Sequence, residues 1–309
     1  MGWPSYREAL VFRIHMVLLA SLVGAALASA GVAYQAILRN PLAEPYLLGV
    51  SSGASLAAYL WRFPAVGAAL AAVFGTGAGE AVSQQAFAFL GALVAVAVVF
   101  ALATRRGRVE PVTLLLVGVI VNSVNGSIYL LLNALAKDMT GGSGGEVAFL
   151  VGVIQTNLQA AQVVVATTVI GAGVVVLAFL SGALNAATLS DGEAEALGVR
   201  IHRLRWVALV TASLMTASAV AVSGPIGFVG LVGPHLGRLV VGHDTRKLLP
   251  VAAAMGAGLL ALADAASRLM ATNALAQTVL PVGILTGLLG GPFFLFLLWQ
   301  TRRRDVLAV

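Results

Sequence analysis

Not one cysteine occurs in the 309 residues, which excludes a disulfide framework, a thiolate metal site and a thiol redox centre. Charge is almost as scarce. Asp, Glu, Lys and Arg make up 10% of the chain, against about 25% in an ordinary soluble domain, too few to cover a water-facing surface. Histidine occurs four times, at His15, His202, His235 and His243, scattered along the chain, so no cluster of metal-ligand spacing exists and no metal is expected. The phosphate-binding loop pattern ends in Gly-Lys followed by Ser or Thr. No such triplet is present, so ATP hydrolysis by that route is excluded. No nucleophile–base pairing is discernible either; no catalytic residue is assigned and no cofactor is implied.

What is abundant is apolar. Hydrophobic residues reach 60%, glycine contributes 35 residues, and the mean hydropathy is +0.98. Small residues at this density suit helices that pack closely in lipid. The net charge of +6 and pI near 10.3 do not require a nucleic acid partner, because Lys and Arg of a membrane protein gather on its cytoplasmic loops.

A transmembrane helix needs about 20 mostly apolar residues. Nine stretches qualify as candidate spans: Met16–Leu38, Tyr46–Leu60, Ala86–Thr104, Val112–Leu135, Gln162–Leu180, Trp206–Ser223, Pro225–Val241, Leu248–Leu269 and Val282–Gln300. The second and seventh are short and rich in glycine or proline, which predicts broken or tilted segments shielded by neighbours. The expected fold is an all-α polytopic bundle forming one transmembrane domain over residues 1–309. The N-terminus carries Arg7, Glu8 and Arg13 ahead of an apolar run too long for a signal peptide.

Placing the C-terminus in the cytoplasm and alternating backwards puts 13 Lys and Arg residues inside and 5 outside; the opposite orientation reverses that bias. The chain is therefore expected to be a multi-pass protein of the cell membrane with Arg302–Arg304 inside. Gly141–Gly145 reads as a flexible external connector.

Three local features can carry function. The inner loop Leu184–Arg205 is the most polar stretch in the chain. Ser190 or Asp191 can cap a short helix there, Glu193 and Glu195 suit its positive end, and Gly198 suits a left-handed residue that ends it. A loop that only joins two spans needs few residues, so this one reads as a docking element for a soluble partner. The span Val112–Leu135 bears Asn122, Asn125, Tyr129 and Asn133 at spacings that place them on one helical face. They either line a path for a polar solute or hydrogen-bond to neighbouring helices. Asp264 and Arg268, four apart, can form an ion pair or leave Arg268 free for an acidic partner outside. Asp264 is also the one acid placed within a span, which leaves little for coupling to an ion gradient.

These residues come with a resemblance. Arg39–Ala54 (RNPLAEPYLLGVSSGA) is similar to the signature of the FecCD permeases, the membrane subunits of importers for iron-siderophores, haem and cobalamin. Leu189–Val199, Gly224–Pro250 and Leu280–Leu298 resemble three further family segments in the same order. The likeness runs from about Phe12 to Arg304 and includes the vitamin B12 importer's permease. It implies a homodimer, or a pairing with a paralogous permease, clamped by a cytoplasmic ATPase dimer and served by an extracytoplasmic substrate-binding protein. It further implies that Glu193, Ala194 and Gly198 belong to the ATPase-coupling element, that Asn122 and Asn125 line the translocation path, and that Arg13 and Arg268 meet the binding protein. Members of the family usually begin with one more helix, ten in all. That helix is missing here, through a late start or a truncation, and an uncovered groove is expected in its place. Met16, Gly233 and Val279 also stand where the family usually has Arg, Ile and Glu. A stand-alone secondary transporter or channel for a small polar solute is the alternative.

Overall fold

The computed structural model describes residues 6–61, 63, 65–66, 68–69, 72, 83–105, 108–136, 151–156, 158–272 and 280–307. The expected connector Gly141–Gly145 lies outside them. Among the described residues the regular structure is helical apart from a two-residue antiparallel ladder pairing Thr104–Arg105 with Arg108–Val109. The helices are α1 (Tyr6–Leu38), α2 (Val50–Leu60), α3 (Gln84–Ala103), α4 (Pro111–Ala136), α5 (Ala160–Ala187), α6 (Asp191–Ala196), α7 (Ile201–Ser223), α8 (Val229–Val241), α9 (Thr245–Thr272) and α10 (Val282–Leu307).

Each of the nine expected spans contains a helix, with altered limits. Among the described residues six helices are long and apolar enough to cross a bilayer, in α1, α3, α4, α5, α7 and α9, and two shorter apolar helices occupy Val229–Val241 and Val282–Leu295. The second expected span is interrupted. Pro45–Leu48 forms a 3₁₀ turn, Gly49 takes φ +79°, and only then does α2 begin. A left-handed residue cannot continue a right-handed helix, and glycine adopts that conformation without the Cβ penalty. The seventh is helical only from Val229, because the stretch 224–227 is non-helical and Phe228 sits at φ +69°. The polar loop is shorter than the expected Leu184–Arg205: α5 runs on to Ala187 and α7 starts at Ile201, so His202, Arg203 and Arg205 stand on the first turns of a helix. Apolar periodicity marks where a helix enters lipid; it does not register the polar turns by which the same helix continues into water.

The bundle is built around α1 and α7, each with 72% of its most apolar 18-residue stretch buried; the corresponding figures are 11% for α4 and 22% for α5. The peripheral helices present large apolar side chains outward, among them Phe179 at 85% exposed and Leu135 at 74%. Such a surface suits hydrocarbon and is rare on a protein in water. Helix α1 packs along α9 and crosses α7, α8 and α5. It meets α9 at backbone distance: a Cβ on Gly256 would lie 2.4 Å from the carbonyl oxygen of Gly24. Only glycine permits that approach.

Proline is accommodated in α8 by a side chain from another helix. Pro234 has no N–H to donate to the carbonyl of Gly230 one turn earlier. The amide of the buried Gln35 on α1 donates to that carbonyl instead, at 3.3 Å. An apolar crevice of about 810 Å³ runs between the N-terminal half of α1 and the stretch from Gln155 to Thr167, bordered by Val11, Phe12, Met16, Leu19 and Val163.

Candidate functional site

The polar segment between α5 and α7 folds as a closed, capped unit. Six residues are too few for a helix to be stable alone, and both ends of α6 are held by local hydrogen bonds. At the start, the Ser190 hydroxyl accepts from the Glu193 amide at 3.3 Å, and the Ser190 amide donates to the Glu193 carboxylate at 2.9 Å. This reciprocal box satisfies two of the amides that a helix start leaves unpaired. The hydroxyl and amide of Ser190 hold the Glu193 carboxyl below its usual range. At the other end Gly198 takes φ +80°. Its N–H donates to the Glu195 carbonyl at 2.9 Å and that of Val199 to the Ala194 carbonyl at 3.0 Å. Those two bonds make a Schellman turn.

The three residues singled out in this element occupy different surroundings. Ala194 is fully buried against the bundle, whereas Glu193 and Gly198 are exposed, as is Leu197 at 66%. The element is seated by Ala194 and presents its acidic and apolar residues outward. A second polar fastening lies beside it. The Asn185 side chain near the end of α5 donates to Asp244 at 2.7 Å and accepts from the Thr245 amide at 2.7 Å, tying α5 to the start of α9.

On α4 the four polar residues do share one half-buried face, and that face turns onto the α2 segment. Asn122 donates to the Tyr46 carbonyl at 2.9 Å and Asn125 to the Ser52 hydroxyl at 3.1 Å. Tyr129 meets Tyr59 edge to face at 4.9 Å between ring centroids, and Asn133 donates to the Tyr129 hydroxyl at 3.1 Å. The Asn122 bond adds a second donor to a carbonyl of the 3₁₀ turn that also accepts the Gly49 N–H at 3.4 Å, and so braces the point where the span is interrupted.

Asp264 and Arg268 form an ion pair on α9, with Arg268 Nε 2.7 Å and Nη2 3.1 Å from the two carboxylate oxygens. Asp264 is buried, and the Arg268 side chain is 26% exposed. Arg13 is exposed near the start of α1, with no hydrogen-bond or ion-pair partner among the described residues. Arg268 is thus already engaged, whereas Arg13 is open to solvent or to another molecule.

Sequence reasoning missed a polar knot linking the two interrupted spans. Glu44, which lies between the first two expected spans, accepts a hydrogen bond from the Phe228 amide, and the Tyr46 hydroxyl accepts one from the Ile226 amide. Gln35 joins the same knot through the Ala43 carbonyl and receives Arg238. The pairing of a carboxylate with the start of α8 satisfies an amide that no helical carbonyl can reach. The available signal was the recurrence of Pro and Gly on both segments, which marks broken helices but not their meeting.

Residues 5–300 match the family model described as the FecCD transport family. The cobalamin import system permease of Halobacterium salinarum is 38% identical over 313 residues, covering all of this chain and 77% of that protein. The hemin transport system permease of Yersinia pestis is 37% identical, covering 94% of this chain and 83% of the relative. Among solved structures, one described as an inward-facing conformation of a metal-chelate type ABC transporter superposes with a TM-score of 0.78 at 28% identity, over 97% of this chain and 91% of the other.

Proposed function

Given that the chain belongs to the FecCD transport family, we propose that it is the membrane-spanning permease of an ATP-binding-cassette importer and carries a metal chelate inward across the cell membrane. The observation that carries the proposal is the capped helix α6, an exposed polar element seated on the bundle by Ala194 and closed at both ends. Such a unit can pass a push from a soluble partner to α5 and α7 without unravelling. Relatives named for cobalamin, hemin and Fe(3+)-citrate import support a chelate as cargo, and the choice among them is left to assay.

In this scheme residues 1–309 are one permease domain, and a second copy or a paralogue completes the pathway. An ATPase dimer docks on the cytoplasmic side against residues 184–205, with Glu193 and Gly198 at the contact and Ala194 anchoring it. Closure of that dimer on ATP moves α6 and switches the pathway between outward-open and inward-open. Asn122, Asn125, Tyr129 and Asn133 border the path while bracing the α2 segment. An extracytoplasmic binding protein delivers the cargo to a face including Arg13 and Arg268, where the Asp264 pairing holds the Arg268 guanidinium in place. The bond-making chemistry of ATP belongs to the partner.

The test is reconstitution in liposomes with an ATPase subunit and binding protein from the same genome, offering cyanocobalamin, hemin and ferric citrate in turn. ATP-dependent accumulation of one of them is the expected outcome. Accumulation that needs no ATPase subunit and follows an imposed ion gradient would make the chain a secondary carrier instead.

A further inference from the structure

The polar element is fastened to the rest of the bundle at one charged point. Asp191, the first residue of α6, receives Arg205 Nη2 at 2.7 Å and Nη1 at 3.0 Å from α7, and Arg39 Nη2 at 2.6 Å from the end of α1. Arg39 also donates its Nε to the Ala187 carbonyl at 2.9 Å, the last residue of α5. One carboxylate and two guanidiniums thereby join α1, α5, α6 and α7. The three side chains differ in depth: Arg205 is 5% exposed, Arg39 34% and Asp191 42%. A buried arginine is retained where a carboxylate balances it, and the bidentate fork fixes the direction as well as the distance of the contact.

Arg39 has a second peculiarity. Its φ is +50°, one of two positive values among the described non-glycine residues. That conformation is disfavoured for a residue with a Cβ and persists where the surroundings over-determine it. Here the surroundings are the bonds to Asp191 and Ala187, together with the Asn40 N–H to the Gln35 carbonyl at 3.2 Å, which closes the end of α1. The left-handed turn ends α1 at the point where its arginine crosses to α6.

We infer that Arg39, Asp191 and Arg205 form the joint through which movement of α6 reaches α1, the helix at the centre of the bundle. They are positioning residues, and this role rests on the importer reading above. Without the Arg39 arm, α6 stays attached to α7 through Arg205 but loses its direct tie to α1. The partner ATPase then still docks and hydrolyses ATP, while fewer strokes reach the pathway.

Two measurements test this. In the reconstituted complex, Arg39→Gln is expected to keep ATP hydrolysis and to lower the number of substrate molecules carried per ATP by about fivefold or more, the low end of site-to-site coupling. Arg39→Lys, which restores the charge without the fork, is expected to recover part of that ratio. A merely structural role would lower hydrolysis and uptake together. The absence of cysteine allows a single nitroxide at L197C, and its mobility in liposomes without ATPase or substrate is expected to rise in Arg39→Gln. Asp191→Asn is expected to show both effects more strongly. It also leaves Arg205 without a countercharge, so if that variant fails to fold, Arg39→Gln decides alone. An unchanged nitroxide spectrum and an unchanged transport ratio in Arg39→Gln would overturn the joint while leaving the importer reading intact. A native chain that carries nothing with ATP would overturn the importer reading, and the spectrum would still judge the fastening.

Discussion

Replacing Gly198 by valine puts a β-branched side chain where the backbone stands at φ +80°. The site isolates backbone conformation from packing, because a Cβ there meets nothing within 4 Å. The cost is therefore conformational, about 1–2 kcal/mol for a side-chain-bearing residue in the left-handed region. That shifts the closed turn against open ones by a factor of about 5–30. Of the two bonds that close the turn, the one from Gly198 to Glu195 joins exposed residues and exchanges for solvent when the turn opens, while the one from Val199 ends on the buried Ala194. The damage should stay local: membrane insertion and thermal stability are expected to match the native chain. Stimulation of the partner ATPase and uptake are expected to fall together, because a frayed α6 no longer presents Glu193 in one position. A graded series sharpens the test. Asparagine tolerates the left-handed region best among residues with a Cβ, so activity should rank Gly, then Asn, then Ala, then Val. Native activity in Gly198→Val, or an asparagine variant as poor as the valine one, would refute the reasoning.

The remaining predictions bear on other parts of the molecule. Glu193 has a folded-state pKa below its unfolded one, so its capping contribution is complete above the unfolded value and is lost as pH falls through the lowered folded value; amide exchange at Glu193 and Ala194 should accelerate over that acid range, and Glu193→Gln should flatten the response. Asn125→Leu removes the bond to Ser52, worth about 0.6 kcal/mol in a membrane interior, and should leave an assembled complex with reduced uptake; loss of assembly would show the amide to be structural. Gly256→Leu drives a side chain into the Gly24 backbone and should lower the melting temperature of the detergent-solubilised chain, since overpacking costs about 1–3 kcal/mol even where neighbours can give. A topology reporter fused after Arg304 should read cytoplasmic and one within Gly141–Gly145 external; the reverse would overturn the orientation argued from charge.

Much of this protein is local in its chain and was legible there. Lipid offers a peptide group no hydrogen-bond partner, so each crossing must be a self-satisfied helix with an apolar surface. That requirement writes the crossings into composition, one stretch at a time, and it carried helix existence through all nine. The caps of α6 are local too: Ser190 and Glu193 lie three residues apart, and Gly198 follows the last turn, so their chemistry could be read from spacing. The resemblance of Arg39–Ala54 and the later motifs to one family was likewise a property of short runs of residues.

Tertiary structure decided where the polar groups point. The asparagines of α4 share a face by periodicity, but only folding turns that face onto α2, because periodicity defines a face and not its neighbour. The Asp264–Arg268 alternatives were resolved in the same way, as an ion pair. The span that breaks at Phe228 leaves the Ile226 and Phe228 amides without helical partners, and the groups that meet them, the Tyr46 hydroxyl and the Glu44 carboxylate, come from a distant segment. Gln35 fills the gap left by Pro234 from 195 residues away when measured to its acceptor Gly230, and Arg39 reaches Asp191 across 152. No repeat or spacing encodes such meetings. They follow from which helices pack together, and that is set by shape and close approach throughout the bundle, after each helix has already been determined by its own residues.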